Sequence, residues 1–155
     1  MKKILAYRFS AFGDVAMIVP VLKEFLAQNP DTEIVFVSRK NFADLFDGVE
    51  RLTFRGVNLD DYKGVFGLRK LTKELNKEYN PKYVADLHDV LRSKILTILF
   101  KLRRKKTATL DKGRTEKKQL TRKENKIKNP LKPTTERYAD VFRKLGFTLK
   151  LSHQL

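Results

Sequence analysis

No cysteine occurs among the 155 residues, so disulfide staples, thiolate metal sites and a cysteine nucleophile are excluded. A reducing compartment fits that absence. No stretch approaches the roughly 20 consecutive apolar residues that a membrane-spanning helix needs. The apolar run after Met1-Lys2-Lys3 is too short for a signal peptide, and Arg8 interrupts it. The chain is therefore expected to be soluble and cytoplasmic. Two phosphate-binding fingerprints are also missing. Without G-x-G-x-x-G there is no ordinary dinucleotide site, and Arg39 alone makes a poor reader of an NADP 2′-phosphate. Without G-x-x-x-x-G-K-[ST] there is no ATPase-type phosphate loop. His88 stands between Asp86 and Asp89, but a metal site there would need a third convergent ligand that the sequence does not offer.

What is present is a globular composition for one domain: 41% hydrophobic and 34% charged residues, too apolar for a disordered chain. The formal net charge is +16. Such a chain is drawn to polyanions: nucleic acid, anionic lipid or phosphorylated glycans.

Short apolar runs alternate with helical periodicities. Lys3–Tyr7, Glu33–Val37, Arg51–Phe54, Tyr83–Leu87 and Thr107–Leu110 read as strands. Phe147–Leu151 reads as the start of another. Val15 to Leu26 reads as a helix with Pro20 inside it and Asp14 as its N-cap. Phe42, Leu45 and Phe46 suggest a short helix closed by Gly48, and residues 56–63 a loop. Val65, Leu68, Leu71, Leu75 and Tyr79 recur at helical spacing. Val90 to Phe100 covers a broad helical face. Tyr138, Val141, Phe142 and Leu145 mark a last helix stopped by Gly146. Residues 111–132 are rich in Lys and Arg with few apolar anchors, and read as a mobile or partly helical loop outside the core. The alternation argues an α/β fold: a Rossmann-like parallel sheet with helices on both faces. In such sheets function gathers at the carboxyl ends of the strands. That rule selects residues 8–14, Ser38–Asn41, His88–Asp89 and Asp111–Arg114.

The first of these loops offers Arg8, Ser10, Gly13 and Asp14. Gly13 allows close approach of a ligand to backbone. Asp14 has two readings, as helix cap or as functional carboxylate. They are compatible, because a cap uses only part of a carboxylate's acceptor capacity.

The stretch Lys3-Ile-Leu-Ala-Tyr-Arg-Phe-Ser-Ala-Phe-Gly-Asp-Val15, continuing to Val19-Pro20-Val21-Leu22, resembles the opening of glycosyltransferase family 9, which includes the ADP-heptose:lipopolysaccharide heptosyltransferases. Two later stretches resemble further family segments in the same order: Tyr83-Val-Ala-Asp-Leu-His-Asp-Val-Leu-Arg-Ser93, and Glu136-Arg137-Tyr138 leading to Leu145-Gly146. The resemblance implies residues 1–155 as the acceptor-binding, N-terminal half of a GT-B enzyme. The C-terminal domain that takes the nucleotide-sugar donor (an ADP-sugar) is absent from this chain. It implies inverting, metal-independent transfer of a heptose or related sugar to a lipid-linked saccharide acceptor of lipopolysaccharide type, with no cofactor. Asp14 matches the family's catalytic base. Ser10, Gly13, His88, Arg92 and Arg114 match positions that flank or bind acceptor, and Arg69 and Lys70 lie near another basic acceptor loop. Ser10 also reads as a satisfier of turn backbone, and each basic residue as surface charge. Asp89 departs from the family, which commonly has glycine there. An acceptor anchored in lipid places the protein in the cytoplasm, peripheral at the inner-membrane surface.

Charge alone leaves a second class open: a basic module binding nucleic acid or anionic membrane. No recognisable nucleic-acid reader motif is present, so specific nucleic-acid binding is not expected. The run Lys101-Leu-Arg-Arg-Lys-Lys106 fits attraction to anionic lipid.

Overall fold

A computed structural model describes residues 1–113 and 132–152. Five parallel strands form one sheet in the order β3-β2-β1-β4-β5: β1 Lys2–Tyr7, β2 Thr32–Arg39, β3 Leu52–Val57, β4 Tyr83–Asp86 and β5 Lys106–Thr109. Ile4, Leu5, Ala6 and Tyr7 are all fully buried, because the central strand of a parallel sheet is covered on both faces. Alternate residues then feed two cores. Ile4, Ala6, Ile34 and Phe36 pack under α1 (Phe12–Gln28) and α4 (Thr134–Lys144). Leu5, Tyr7, Val35, Val37 and Val84 pack under α2 (Gly64–Tyr79) and α3 (Leu91–Leu102). Phe25 of α1 meets Phe142 of α4 at a ring separation of 4.6 Å, which locks the first layer.

The chain winds outward from β1 through β2 to β3, then returns to the other side of β1 for β4 and β5. The loops after β1 and β4 therefore leave in opposite directions and open a crevice at the carboxyl edge.

Three local expectations need correction. Asp14 is not the N-cap of α1. The helix begins at Phe12, three residues before the expected start, with Ala11 in the cap position, and Asp14 accepts from the Ala11 N–H at 3.4 Å. This is the carboxylate half of a capping box. Pro20 lies inside α1 without ending it, on an exposed position. Residues 147–151 form no strand. Their alternation reports half-burial rather than ladder pairing: Leu149 and Leu151 enter the α1 core, while the backbone is satisfied by side chains of α1's end. Gln28 brackets Lys150 at 2.8 and 2.9 Å, and Asn29 donates to the Thr148 carbonyl at 2.9 Å. Finally, β3 runs on to Val57, into the stretch expected as loop, and Leu59–Asp61 forms a 3-10 turn.

Candidate functional site

The crevice is organised by two buried anchors. The first is Asp86 at the end of β4. Its Oδ1 accepts the backbone N–H groups of both His88 and Asp89 at 2.9 Å. Burial pushes its pKa up from the ordinary carboxylate value, against the pull of those two bonds. The turn it stabilises puts Asp89 at φ +55°, a left-handed conformation that glycine adopts freely and aspartate tolerates. That explains how an aspartate stands where glycine is the commoner choice.

The second anchor is Arg8, nine-tenths buried at the end of β1. Its Nε donates to the Ser10 carbonyl at 2.7 Å and its Nη1 to the Leu87 carbonyl at 2.9 Å. One guanidinium thus ties together the loops after β1 and β4. Its Nη2 lies 3.2 Å from Asp14 Oδ2. The planar fork fixes the carboxylate as an ammonium could not.

His88 is 5% exposed. Its Nδ1 accepts the Phe9 N–H at 3.3 Å, so the neutral ring carries its proton on Nε2. Nε2 faces Ser10 Oγ at 3.5 Å. The serine hydroxyl therefore accepts from His88 and keeps its own proton for another acceptor. A histidine in this tautomer cannot remove the serine's proton, which excludes a Ser–His nucleophile pair. Burial, then the charges of Arg8, Lys112 and Arg92, push the His88 pKa down to about 4.

Asp14 lies in the wall of a groove of about 430 Å³, together with Arg8, Lys112, Arg137 and Tyr138. Its side chain is 44% exposed. Among the described residues no hydrogen bond reaches its Oδ1. A cavity of this size takes a sugar-sized ligand. Tyr138 and Arg137 come from α4, Lys112 from the loop after β5. Arg137 Nη1 donates to the Asp111 carbonyl at 3.2 Å, and Lys112 Nζ to that of Asp89 at 3.3 Å.

Ser10, Gly13, Asp14 and His88 come together at one edge, but of the four only Asp14 lines the groove. Gly13 is exposed in the first turn of α1, and a Cβ built there meets nothing within 4 Å. The fold itself does not require glycine at this position. Arg92, in the first turn of α3, reaches His88 electrostatically but does not line the groove. Arg114 lies outside the described residues. Lys112 lies in the stretch Asp111–Arg114 that the carboxyl-edge rule selected, whereas sequence reasoning missed Arg137 and Tyr138 as groove residues. Arg137 packs against Gly113, at φ +69°, where a Cβ would run into its guanidinium; its signal in the sequence was the stretch Glu136-Arg137-Tyr138. Among the described residues no three His, Asp or Glu side chains converge to hold a metal.

Solved structures share this fold. A glycosyl transferase family 9 protein from Veillonella parvula superposes with a TM-score of 0.65 at 20% identity, over 95% of this chain and 42% of that one. The E. coli heptosyltransferase WaaC with ADP-2-deoxy-2-fluoro heptose gives 0.67 at 18% identity, over 97% of this chain and 50% of its own. A UDP-N-acetylglucosamine 2-epimerase gives 0.55 at 10% identity. The chain spans half or less of the length of these neighbours. No family model matches it, and no curated protein matches its sequence. The fold is an α/β, Rossmann-like parallel sheet of the kind found in one half of these glycosyltransferases. Identities this low establish fold and carry no assignment of substrate.

Proposed function

We propose that this domain is the acceptor-side half of an inverting, metal-independent sugar transferase of heptosyltransferase type, with Asp14 as the general base. The reading rests on one observation above all. A half-exposed carboxylate is held from one side by Arg8 and the Ala11 N–H, with Oδ1 open to a groove walled by cations. The resemblance of residues 3–22 to glycosyltransferase family 9 and the likeness of fold support it.

In this reading an acceptor hydroxyl sits within hydrogen-bond reach of Asp14 Oδ1. Its oxygen attacks the anomeric carbon of a nucleotide-sugar held by a domain outside this chain. As the new C–O bond forms, the hydroxyl proton passes to Asp14. The bond from the anomeric carbon to the nucleotide diphosphate breaks, and its electron pair leaves with the diphosphate. Attack from the opposite face inverts the centre. Such proton removal is worth about 10²–10⁴-fold in rate. Arg8 positions the base, and His88 acts through Ser10, whose remaining proton is free to donate to the sugar. Arg137 and Lys112 suit a phosphorylated or acidic lipid-linked saccharide.

The test uses a protein carrying this domain together with its donor-binding half. Asp14→Asn is expected to cut turnover about 10²–10⁴-fold while KM for acceptor stays within about twofold. Unchanged turnover would remove Asp14 from the role.

A further inference from the structure

Helix α3 has a surface that the core does not explain. Ser93, Leu96, Thr97 and Phe100 face inward. On the opposite side of the helix, Leu91, Ile98 and Leu102 are 76%, 57% and 76% exposed. At about 100° per residue these three fall in one narrow stripe. Lys94 and Lys101 border it on one side, Arg92 and Arg103 on the other. The helix, LRSKILTILFKL, contains no acidic residue. An apolar stripe between cations suits the boundary between acyl chains and anionic headgroups.

The neighbouring helix extends the face. In the same layer α2 exposes Phe66 (85%) and, on its outward side, Arg69, Lys70, Lys73 and Lys77. Its acids are turned to other partners: Glu74 accepts from the Tyr62 hydroxyl, and Glu78 pairs with Arg55 at 3.2 Å. Between α3 and β5 lies a shallow groove of about 440 Å³, walled by Lys94, Lys101, Thr97, Thr107 and Thr109. Asp89 also borders it, paired with Lys94 at 3.6 Å. The groove has room and donors for a headgroup phosphate.

We propose that the α2–α3 layer is a docking face for an anionic lipid bilayer. Leu91, Ile98 and Leu102 enter the interface, and the lysines of both helices meet the headgroups. Two other occupants fit less well. Nucleic acid would engage the cations but leave the apolar stripe in water. A second copy related by a two-fold axis would set like charges against each other. This inference does not rest on sugar transfer by the crevice.

Sedimentation of the full chain with vesicles tests it. Vesicles containing about 30% phosphatidylglycerol in phosphatidylcholine are expected to bind the chain, and pure phosphatidylcholine far less. The charge-neutral triple change Leu91→Gln, Ile98→Gln, Leu102→Gln is expected to weaken binding about tenfold or more. Lys73→Gln with Lys77→Gln should weaken it about fivefold or more. Lys23→Gln with Lys150→Gln, on the opposite layer, should change it less than about twofold. Thermal unfolding checks that each variant folds; if the triple change does not, Ile98→Gln alone, expected to cost about threefold, decides. Wild-type binding by the apolar variant would overturn the proposal. So would equal losses from the lysine pairs on the two layers. Tighter binding to duplex DNA than to vesicles at equal phosphate, unaffected by the apolar changes, would point to nucleic acid and also overturn it.

Discussion

At the amino ends of the strands, a groove of about 630 Å³ is lined by Lys2, Lys3, Asp31, Glu33 and Asn80. The groove at the carboxyl ends is smaller, about 430 Å³. Volume alone would choose the amino edge, not the edge that the proposed function uses. At the amino edge the charges answer each other: Lys2 pairs with Asp31 at 3.5 Å and Lys3 with Glu33 at 3.6 Å, in solvent, where such pairs contribute little. At the carboxyl edge a buried arginine, a buried neutral histidine and a half-exposed carboxylate are held together by backbone carbonyls and N–H groups. One carboxylate oxygen is left to solvent, or to a ligand that displaces it, on a frame whose other polar groups are already fixed.

The sharpest break between the edges is catalytic. Where Asp14→Asn is expected to lower turnover about 10²–10⁴-fold, Asp31→Asn or Glu33→Gln should leave it within about twofold. Steady-state kinetics of a protein with both halves measures this.

Stability separates the edges next. Arg8→Gln takes the guanidinium from two carbonyls of the crevice and is expected to cost about 2–3 kcal/mol in urea unfolding. Lys2→Ala and Lys3→Ala should each stay within about 0.5 kcal/mol. Comparable losses at both edges would contradict the view that the carboxyl edge is the built one.

The pH response follows from His88. Its folded pKa, about 4, lies below the ordinary histidine value of about 6.5, so the fold favours the neutral ring. That preference contributes nothing unfavourable above pH 6.5. As pH falls through the window from about 6.5 to 4, the unfolded chain takes up a proton that the folded chain refuses. Stability drops by up to about 3 kcal/mol. The amino-edge groove holds no histidine. Urea midpoints of His88→Gln should therefore fall less than those of the parent across this window. Parallel curves would mean that His88 protonates without strain.

The two crevice glycines give the smallest contrast. Gly13→Ala meets no neighbour and should change stability by less than about 0.5 kcal/mol while weakening saccharide binding. Gly113→Ala, at φ +69° against Arg137, should cost about 1–2 kcal/mol. A Gly13→Ala variant that binds saccharide normally would make that glycine incidental.

The sheet was legible because each strand is a short apolar run and each helix keeps its own period. The order of strand and helix then forces parallel pairing. The carboxyl-edge rule found Ser10, Gly13, Asp14 and His88 together. Details that depend on partners distant in sequence were not legible. Asp14 looks like a cap until the backbone shows the helix starting at Phe12. Phe147–Leu151 alternates like a strand, yet Gln28 and Asn29, more than a hundred residues earlier, take its backbone bonds. Arg8 reads as one basic residue among 34, and only burial shows it bridging two loops. Arg137 and Tyr138 lie on a helix whose apolar stripe announces core, not groove. The exposed stripe of α3 was hidden by abundance, since Val90 to Phe100 is apolar enough to fill more than one face.

Saccharide contact at the open carboxylate, at the mouth of β1, decides between the two edges. Backbone amide NMR of the chain, titrated with a phosphorylated heptose-containing saccharide, tests it without any donor half. Shifts are expected to concentrate at Ser10, Gly13, Asp14, His88 and Lys112, with the amides of Asp31, Glu33 and Asn80 unmoved. Shifts centred on the amino-edge residues, or none at saturating saccharide, would contradict it.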